Sequence, residues 1–140
     1  MHQNYKGTMT ILLRQVKIAD TKSPFNGLVK DILLQDHQII SISDKYKGEA
    51  DQTIELKNAF VSPGFVDPFV HFCDPGMEHR ETLTTGSNAA IKGGFTKVFV
   101  VPNTTPVIDN KSQVTYVKQH SQELPIHILP IGALSKKIIS

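Results

Sequence analysis

With 140 residues, 39% hydrophobic and 20% charged, and a formal net charge of +2, the chain has an ordinary globular composition. That length suffices for one modest domain and falls short of a complete (β/α)8 barrel, which needs about 250 residues. There is no basic block to favour nucleic acid and no apolar run near the ~20 residues of a membrane span.

Residues 1–9 lack the apolar core of a signal peptide and are expected to form a flexible extension. The single cysteine, Cys73, excludes an internal disulfide framework and suggests a reducing cytoplasm. His2 and His37 read as surface histidines. Thr10–Ile18, Gly27–Gln35 and Gln38–Ser43 are strand-like. Asp36-His37 suits a two-residue hairpin turn, though without the favoured glycine. Residues 45–52 form a charged loop, and two short strands follow at Thr53–Leu56 and Ala59–Val61. Residues 10–62 are therefore expected to be a small antiparallel β unit, part of a sandwich.

Pro63 to Gly76 is an apolar run between two Pro-Gly turns and reads as a short buried strand. Alternation puts Asp67, Phe69, His71 and Cys73 on one face and Val66, Val70 and Phe72 on the other. Thr82–Lys92 has helical spacing, with Leu83, Gly86, Ser87, Ala90 and Ile91 on a side able to pack closely. Gly93-Gly94 ends it. Phe95–Val101 is a second strand, stopped by Pro102. Asp109 or Asn110 caps a second helix running to about Ser121, with Val114, Val117 and the stem of Lys118 on one side. Pro125–Ile131 is a third strand. Strand, helix, strand, helix, strand implies parallel pairing, so residues 63–140 read as two to three βα units of an incomplete TIM-like barrel. An open layer of this size leaves bare sheet edges. No finishing helix is expected after Ser135, so the chain reads as the front of a larger fold.

The chemistry in this pattern concentrates after the first barrel-type strand. Two histidines at i and i+2 on one strand would aim two imidazoles at a metal. Here His71 is present and position 69 is Phe. His71 alone is a metal ligand or a packed strand histidine, and with Cys73 it could make an H-x-C pair. Cys73 reads equally as a small buried apolar residue. Asp67 is a ligand, a base, or a carboxylate that meets backbone amides beside Pro68. The loop from Asp74 to Glu81 is charged, and either meets substrate or is solvated. Asn103 could orient a substrate carboxylate or stabilise its turn. Gly93-Gly94 follows a helix and is no phosphate loop.

Three segments carry a family likeness: Pro63-Gly64-Phe65-Val66-Asp67-Pro68-x-Val70-His71-Phe72-x-Asp74-Pro75-Gly76-x-Glu78-His79, Thr85-Gly86-Ser87-x-Ala89-Ala90-x-x-Gly93-Gly94-Phe95-Thr96, and Pro102-Asn103-Thr104-x-Pro106-Val107-Ile108-Asp109. In this order they resemble the dihydroorotases of the amidohydrolase superfamily. The resemblance implies a composite β domain beside a TIM-like barrel, and zinc-dependent, reversible cyclisation of N-carbamoyl-L-aspartate to L-dihydroorotate in pyrimidine biosynthesis. By position, His71 matches the second histidine of an H-x-H metal motif, and Asn103 a contact to the substrate carboxylate. Phe69 stands in place of the first histidine, and Cys73 in place of the arginine that grips the substrate. The catalytic carboxylate and the other ligands would lie beyond Ser140, so no catalytic residue is expected within the chain. Two functions follow: a hydrolase segment completed by the rest of its barrel, or a dihydroorotase-like pseudoenzyme that partners aspartate transcarbamoylase. Another cyclic-amide hydrolase is a third. The expected partners are the remainder of the barrel, a second copy in a homodimer, and a small-molecule substrate, without nucleic acid or membrane.

Overall fold

The computed structural model describes residues 9–135. The expectations for His2, for residues 1–8 and for residues 136–140 fall outside the described residues. The chain divides into two compact units, one ending at Pro63 and the next beginning at Gly64.

The first unit is one five-stranded sheet made of β1 (Thr10–Ile18), β2 (Val29–Gln35), β3 (Gln38–Ser43), β4 (Gln52–Glu55) and β5 (Phe60–Val61). The strand order is β3-β2-β1-β4, with β5 also beside β1. β1–β2 and β2–β3 are antiparallel, whereas β4 and β5 run parallel to β1. The sheet is thus mixed, and the expected antiparallel sandwich segment is corrected. The strand compositions were sufficient to find the strands. They carry no information on direction, which the 44–51 connection sets by returning the chain along β1. The β2–β3 turn closes without glycine because Asp36 and His37 both adopt positive φ, 46° and 68°, as a type I′ turn requires.

β1 is bulged between Leu13 and Val16, and Gln15 there has φ 57°. The extra residue lets Leu13 pack against the same cluster as Val16, Ile18 and Ile32. Asp31 fixes the bulge. Its carboxylate accepts from Gln15 N at 3.1 Å, Tyr46 N at 3.0 Å and Arg14 Nη1 at 2.9 Å.

The second unit alternates β6 (Phe65–Val70), α1 (Leu83–Lys92), β7 (Phe95–Val100), α2 (Lys111–His120) and β8 (His127–Pro130). The three strands are parallel, in the order β6-β7-β8. Val98, Val100, Ile126 and Ile128 form a core with Phe72, Leu83, Ile108 and Val117. Thr82 caps α1 through a reciprocal bond pair with Thr85. Gly86 lets α1 sit on the Phe72 ring, since a Cβ there would stand 2.5 Å from Cδ1. Gly94, at φ 82°, turns the chain into β7. Asn110 caps α2 by accepting from Ser112 N and Gln113 N. On α2 the packed side holds Val114, Tyr116 and Val117, and Lys118 is exposed. Tyr116 thus takes the place expected for the Lys118 stem. No helix among the described residues is long and apolar enough to cross a membrane.

Candidate functional site at the ends of the parallel strands

The strand predicted over Pro63–Gly76 is shorter and less buried than its sequence suggests. β6 stops at Val70, and among the described residues it is an edge strand paired with β7 alone. Phe65, Val66 and Phe69 are 56%, 53% and 67% exposed. Half-buried Val70 packs on the core, and His71 follows the strand, exposed.

The expected four-residue face is also broken. Asp67 aligns with Val98 and Val70 with Val100, so three steps on β6 match two on β7. Aligned residues of parallel strands share a face, and the irregularity therefore carries Asp67 to the side of Val98 and Val70. There it lines a groove of about 240 Å³ together with His71, Glu81, Gly86, Ala89 and Ala90. Asp67 Oδ1 accepts from Phe69 N at 3.0 Å, so it meets a backbone amide beside Pro68. Phe69 and His71 do come together: their rings are 5.6 Å apart at 76°, edge to face. Cys73 leaves the alternation altogether. It has φ 61°, is half-buried, and its thiol points to the His71 carbonyl at 3.9 Å, a weak contact.

The loop that follows is built around Asp74. This carboxylate is 8% exposed. Oδ2 accepts from Leu83 N at 3.1 Å and Oδ1 from the Tyr116 hydroxyl at 3.0 Å. α1 has no acidic residue in its first turn, so Asp74 supplies the negative charge its N-terminus favours. Burial, and then the bond to Asp74, push the Tyr116 phenol above its ordinary pKa. Glu78 turns back to accept from Gly76 N at 2.6 Å, and that bond holds its carboxyl below the usual range.

Asn103 sits exposed in the turn after β7. The neighbouring Thr104 is buried and donates to Pro106 O at 2.8 Å, so Thr104 stabilises that turn. The turn reaches the Asp74 loop through its backbone. Thr105 N donates to Pro75 O at 3.0 Å. Gly76, at φ 96°, lies so close that a Cβ would stand 1.7 Å from Thr105 O. The segments carrying His71 and Asn103 are therefore clamped together. Sequence reasoning named Asp74 only as part of a charged loop that meets substrate or is solvated, and did not name Tyr116; the buried bond between them was missed. The available signal was a helix start lacking its own acid, preceded by an Asp in a loop, with a tyrosine at the edge of the next helix's apolar stripe.

Chemically, these loops offer the exposed imidazoles of His71 and His79, the exposed amide of Asn103 and the Cys73 thiol. Among the described residues, no three His, Cys, Asp or Glu side chains gather in a metal-binding group.

Residues 58–136 match the model of the dihydro-orotase-like family. The dihydroorotase of Carboxydothermus hydrogenoformans is 40% identical over 106 residues, covering 76% of this chain and 25% of that protein. That of Endomicrobium trichonymphae is 37% identical over 129 residues, covering 91% and 30%. Among solved structures, L-hydantoinase (dihydropyrimidinase) from Arthrobacter aurescens superposes with a TM-score of 0.75 at 26% identity, over 87% of this chain and 27% of that one. A dihydroorotase crystal structure gives 0.62 at 19% identity, over 89% and 31%, a likeness of fold. The chain spans about a quarter to three tenths of the length of the curated relatives it matches. The chain belongs to the dihydroorotase-like amidohydrolases and corresponds to their N-terminal portion.

Proposed function

We propose that the second unit is the start of a TIM-like (β/α) barrel, that the first is part of a composite β domain, and that the protein is a dihydroorotase relative with impaired zinc-dependent catalysis. The parallel β6-β7-β8 layer with α1 and α2 supports the barrel reading. The exposed β6 edge is the natural seat for the remainder of the barrel, from the same protein or a separate chain.

The observation that carries the catalytic reading is the Phe69–His71 pair. A catalytic zinc takes about three protein ligands with lone pairs. Phe69 has none, and its ring packs edge to face with the imidazole. Asp67 is engaged with Phe69 N, and the Cys73 thiol turns to the His71 carbonyl. These residues do not fit the two-histidine start of a zinc site. Cys73 likewise cannot supply the forked grip that arginine gives a carboxylate. What remains for a substrate is Asn103, an exposed amide that can donate to one carboxylate oxygen. On this reading the protein acts as a structural partner, in the cytoplasm, as a homodimer or beside aspartate transcarbamoylase, whose product is carbamoyl aspartate.

A second reading has one observation in its favour. The His71 ring is exposed and makes no hydrogen bond among the described residues, so it is free to join ligands from elsewhere in the protein. Such a protein would be a cyclic-amide hydrolase acting on dihydroorotate with an unusual ligand set.

The test is zinc content and dihydroorotate hydrolysis by the protein in its full natural length, alongside Phe69→His/Cys73→Arg. The expected result is sub-stoichiometric zinc and negligible turnover in the natural protein, with zinc gained in the double variant. Stoichiometric zinc with ordinary turnover in the natural protein would overturn the impaired-catalyst reading. Co-purification with a transcarbamoylase, without activity, would overturn the hydrolase reading.

A further inference from the structure

The connection between β1 and β2 contains Asn26-Gly27, the chain's one Asn-Gly pair. Asn-Gly is a turn signal, and asparagine is a thermolabile residue. It is also the dipeptide that cyclises most readily, because glycine puts no side chain in the way of its own nitrogen. Here Asn26 and Gly27 are both exposed, and a Cβ on Gly27 would meet nothing within 4 Å.

Both reacting groups are nevertheless engaged. Gly27 N donates to Ile18 O at 2.7 Å, and Asn26 Oδ1 accepts from Asp20 N at 3.0 Å. The turn around them is closed as well. Ile18 N donates to Leu28 O, Asn26 N to Ser23 O and Leu28 N to Phe25 O. Phe25 N donates to Ser23 Oγ and Lys22 N to Asp20 Oδ1.

We propose that Asn26-Gly27 is a latent modification site that is silent while the β1–β2 turn is closed and deamidates when the turn opens. In the reaction Gly27 N loses its proton and attacks Asn26 Cγ. The N–Cγ bond forms, the Cγ–Nδ2 bond breaks, and Nδ2 leaves as ammonia with the proton that Gly27 N gave up to solvent. Water then opens the succinimide at either carbonyl, leaving Asp or iso-Asp at position 26. In the closed turn the Gly27 proton is held by Ile18 O, and the Asn26 carboxamide is held against the end of β1 by Asp20 N. The Gly27–Ile18 bond must break before attack, and the Asp20 bond restrains the orientation in which the Asn26 carboxamide meets the nitrogen. The product does not return to the starting turn. It carries a negative charge beside Asp20, and iso-Asp adds a backbone atom between Cα of residue 26 and the Gly27 nitrogen that donates to Ile18 O. The modification is thus a permanent mark of a molecule that has opened at this turn.

The test follows the peptide carrying residue 26 by mass spectrometry, with iso-aspartyl methyltransferase labelling. The full natural protein is incubated at mildly alkaline pH, native and in concentrated urea, and Gly27 amide exchange is measured in the native sample. The expected result is conversion about tenfold or more slower in the native sample, with a protected Gly27 amide. Equal conversion rates in the two samples, or an unprotected Gly27 amide in the folded protein, would overturn the proposal.

Discussion

Asp31 in the mixed sheet and Asp74 in the parallel layer are both nearly out of reach of solvent, at 4% and 8% exposure. They are satisfied differently. Asp31 has a cation, Arg14, at 2.9 Å, plus two backbone amides that hold a β-bulge and the chain beside it. Asp74 has no cation partner among the described residues. Its charge is met by the first amide of α1 and the hydroxyl of Tyr116 on α2. In the first unit the buried carboxylate shapes a strand within a sheet. In the second it shapes a loop, and that loop leads out of His71 and Cys73. Strand pairing ends at Val70, and beyond it the loop is held by the side-chain bonds of Asp74 together with backbone bonds from Met77 N to Cys73 O and from Thr105 N to Pro75 O.

Removing the Asp31 carboxylate on one side, and the contacts around Asp74 on the other, breaks the comparison. Asp31→Ala leaves two amides unmet and leaves Arg14 with only its long contacts to Glu55, at 3.8 Å, and Tyr46 O, at 3.5 Å. Loss of one partner of a buried pair costs about 3–5 kcal/mol, and the lower figure is expected because Arg14 is 26% exposed. Urea unfolding measures it, and a loss under about 1 kcal/mol would mean that the bulge holds without Asp31. Next in size is the clamp between the two loops. Gly76→Ala places a methyl against the Thr105 carbonyl and gives a non-glycine residue φ 96°, at a cost of about 2 kcal/mol. The same variant should raise hydrogen exchange at Thr105 N, whose bond to Pro75 O would be disturbed. An unchanged Thr105 amide would show that the clamp is not rigid. Smaller again is Tyr116→Phe, which removes one of the two bonds to Asp74. Hydrogen bonds to charged groups are worth about 1.5–3 kcal/mol when removed from a buried site. Tyr116 is only half-buried, so about 1 kcal/mol is expected, with faster exchange at Leu83 N.

The sequence was most readable where local pattern decides the structure. β1 and β3 have the bounds that their composition predicts, and Thr82 and Asn110 cap helices that end near Gly93 and Ser121. The parallel order of the second sheet followed from alternation of strand and helix. Less readable was whatever depends on a partner far along the chain. The directions of β4 and β5 are set by where the chain re-enters beside β1. The side chosen by Asp67 is set by a register irregularity against β7, and strict alternation fails at that point. Tyr116 and Asp74 are 42 residues apart, so no local spacing links them. At the site, the Phe69–His71 juxtaposition agrees with a two-residue repeat, whereas Cys73 departs from it because its backbone is left-handed.

Within the loop and the helix it touches, two groups respond to pH with opposite signs. Glu78 bonds Gly76 N and has a lowered pKa, so its contribution is present above its unfolded value of 4.5 and is lost as pH falls through the lower folded value. Tyr116 has the opposite sign. Its folded pKa is raised above 10.0, first by burial and then by the bond in which its hydroxyl donates to Asp74. That contribution is complete below the unfolded value and disappears as pH rises through the folded one. Ionised Tyr116 would have no proton to donate and would face the Asp74 carboxylate with like charge. Leu83 N would then be the one donor left on Asp74 among the described residues. Alkaline conditions should therefore loosen the loop that leads out of His71. Exchange at the Leu83 amide, corrected for the intrinsic base dependence, should accelerate in the natural protein above pH 10 and not in Tyr116→Phe, whose loop lacks the bond at every pH. Parallel curves for the two proteins would separate Tyr116 from the alkaline behaviour and leave Leu83 N as the one contact through which Asp74 holds the loop.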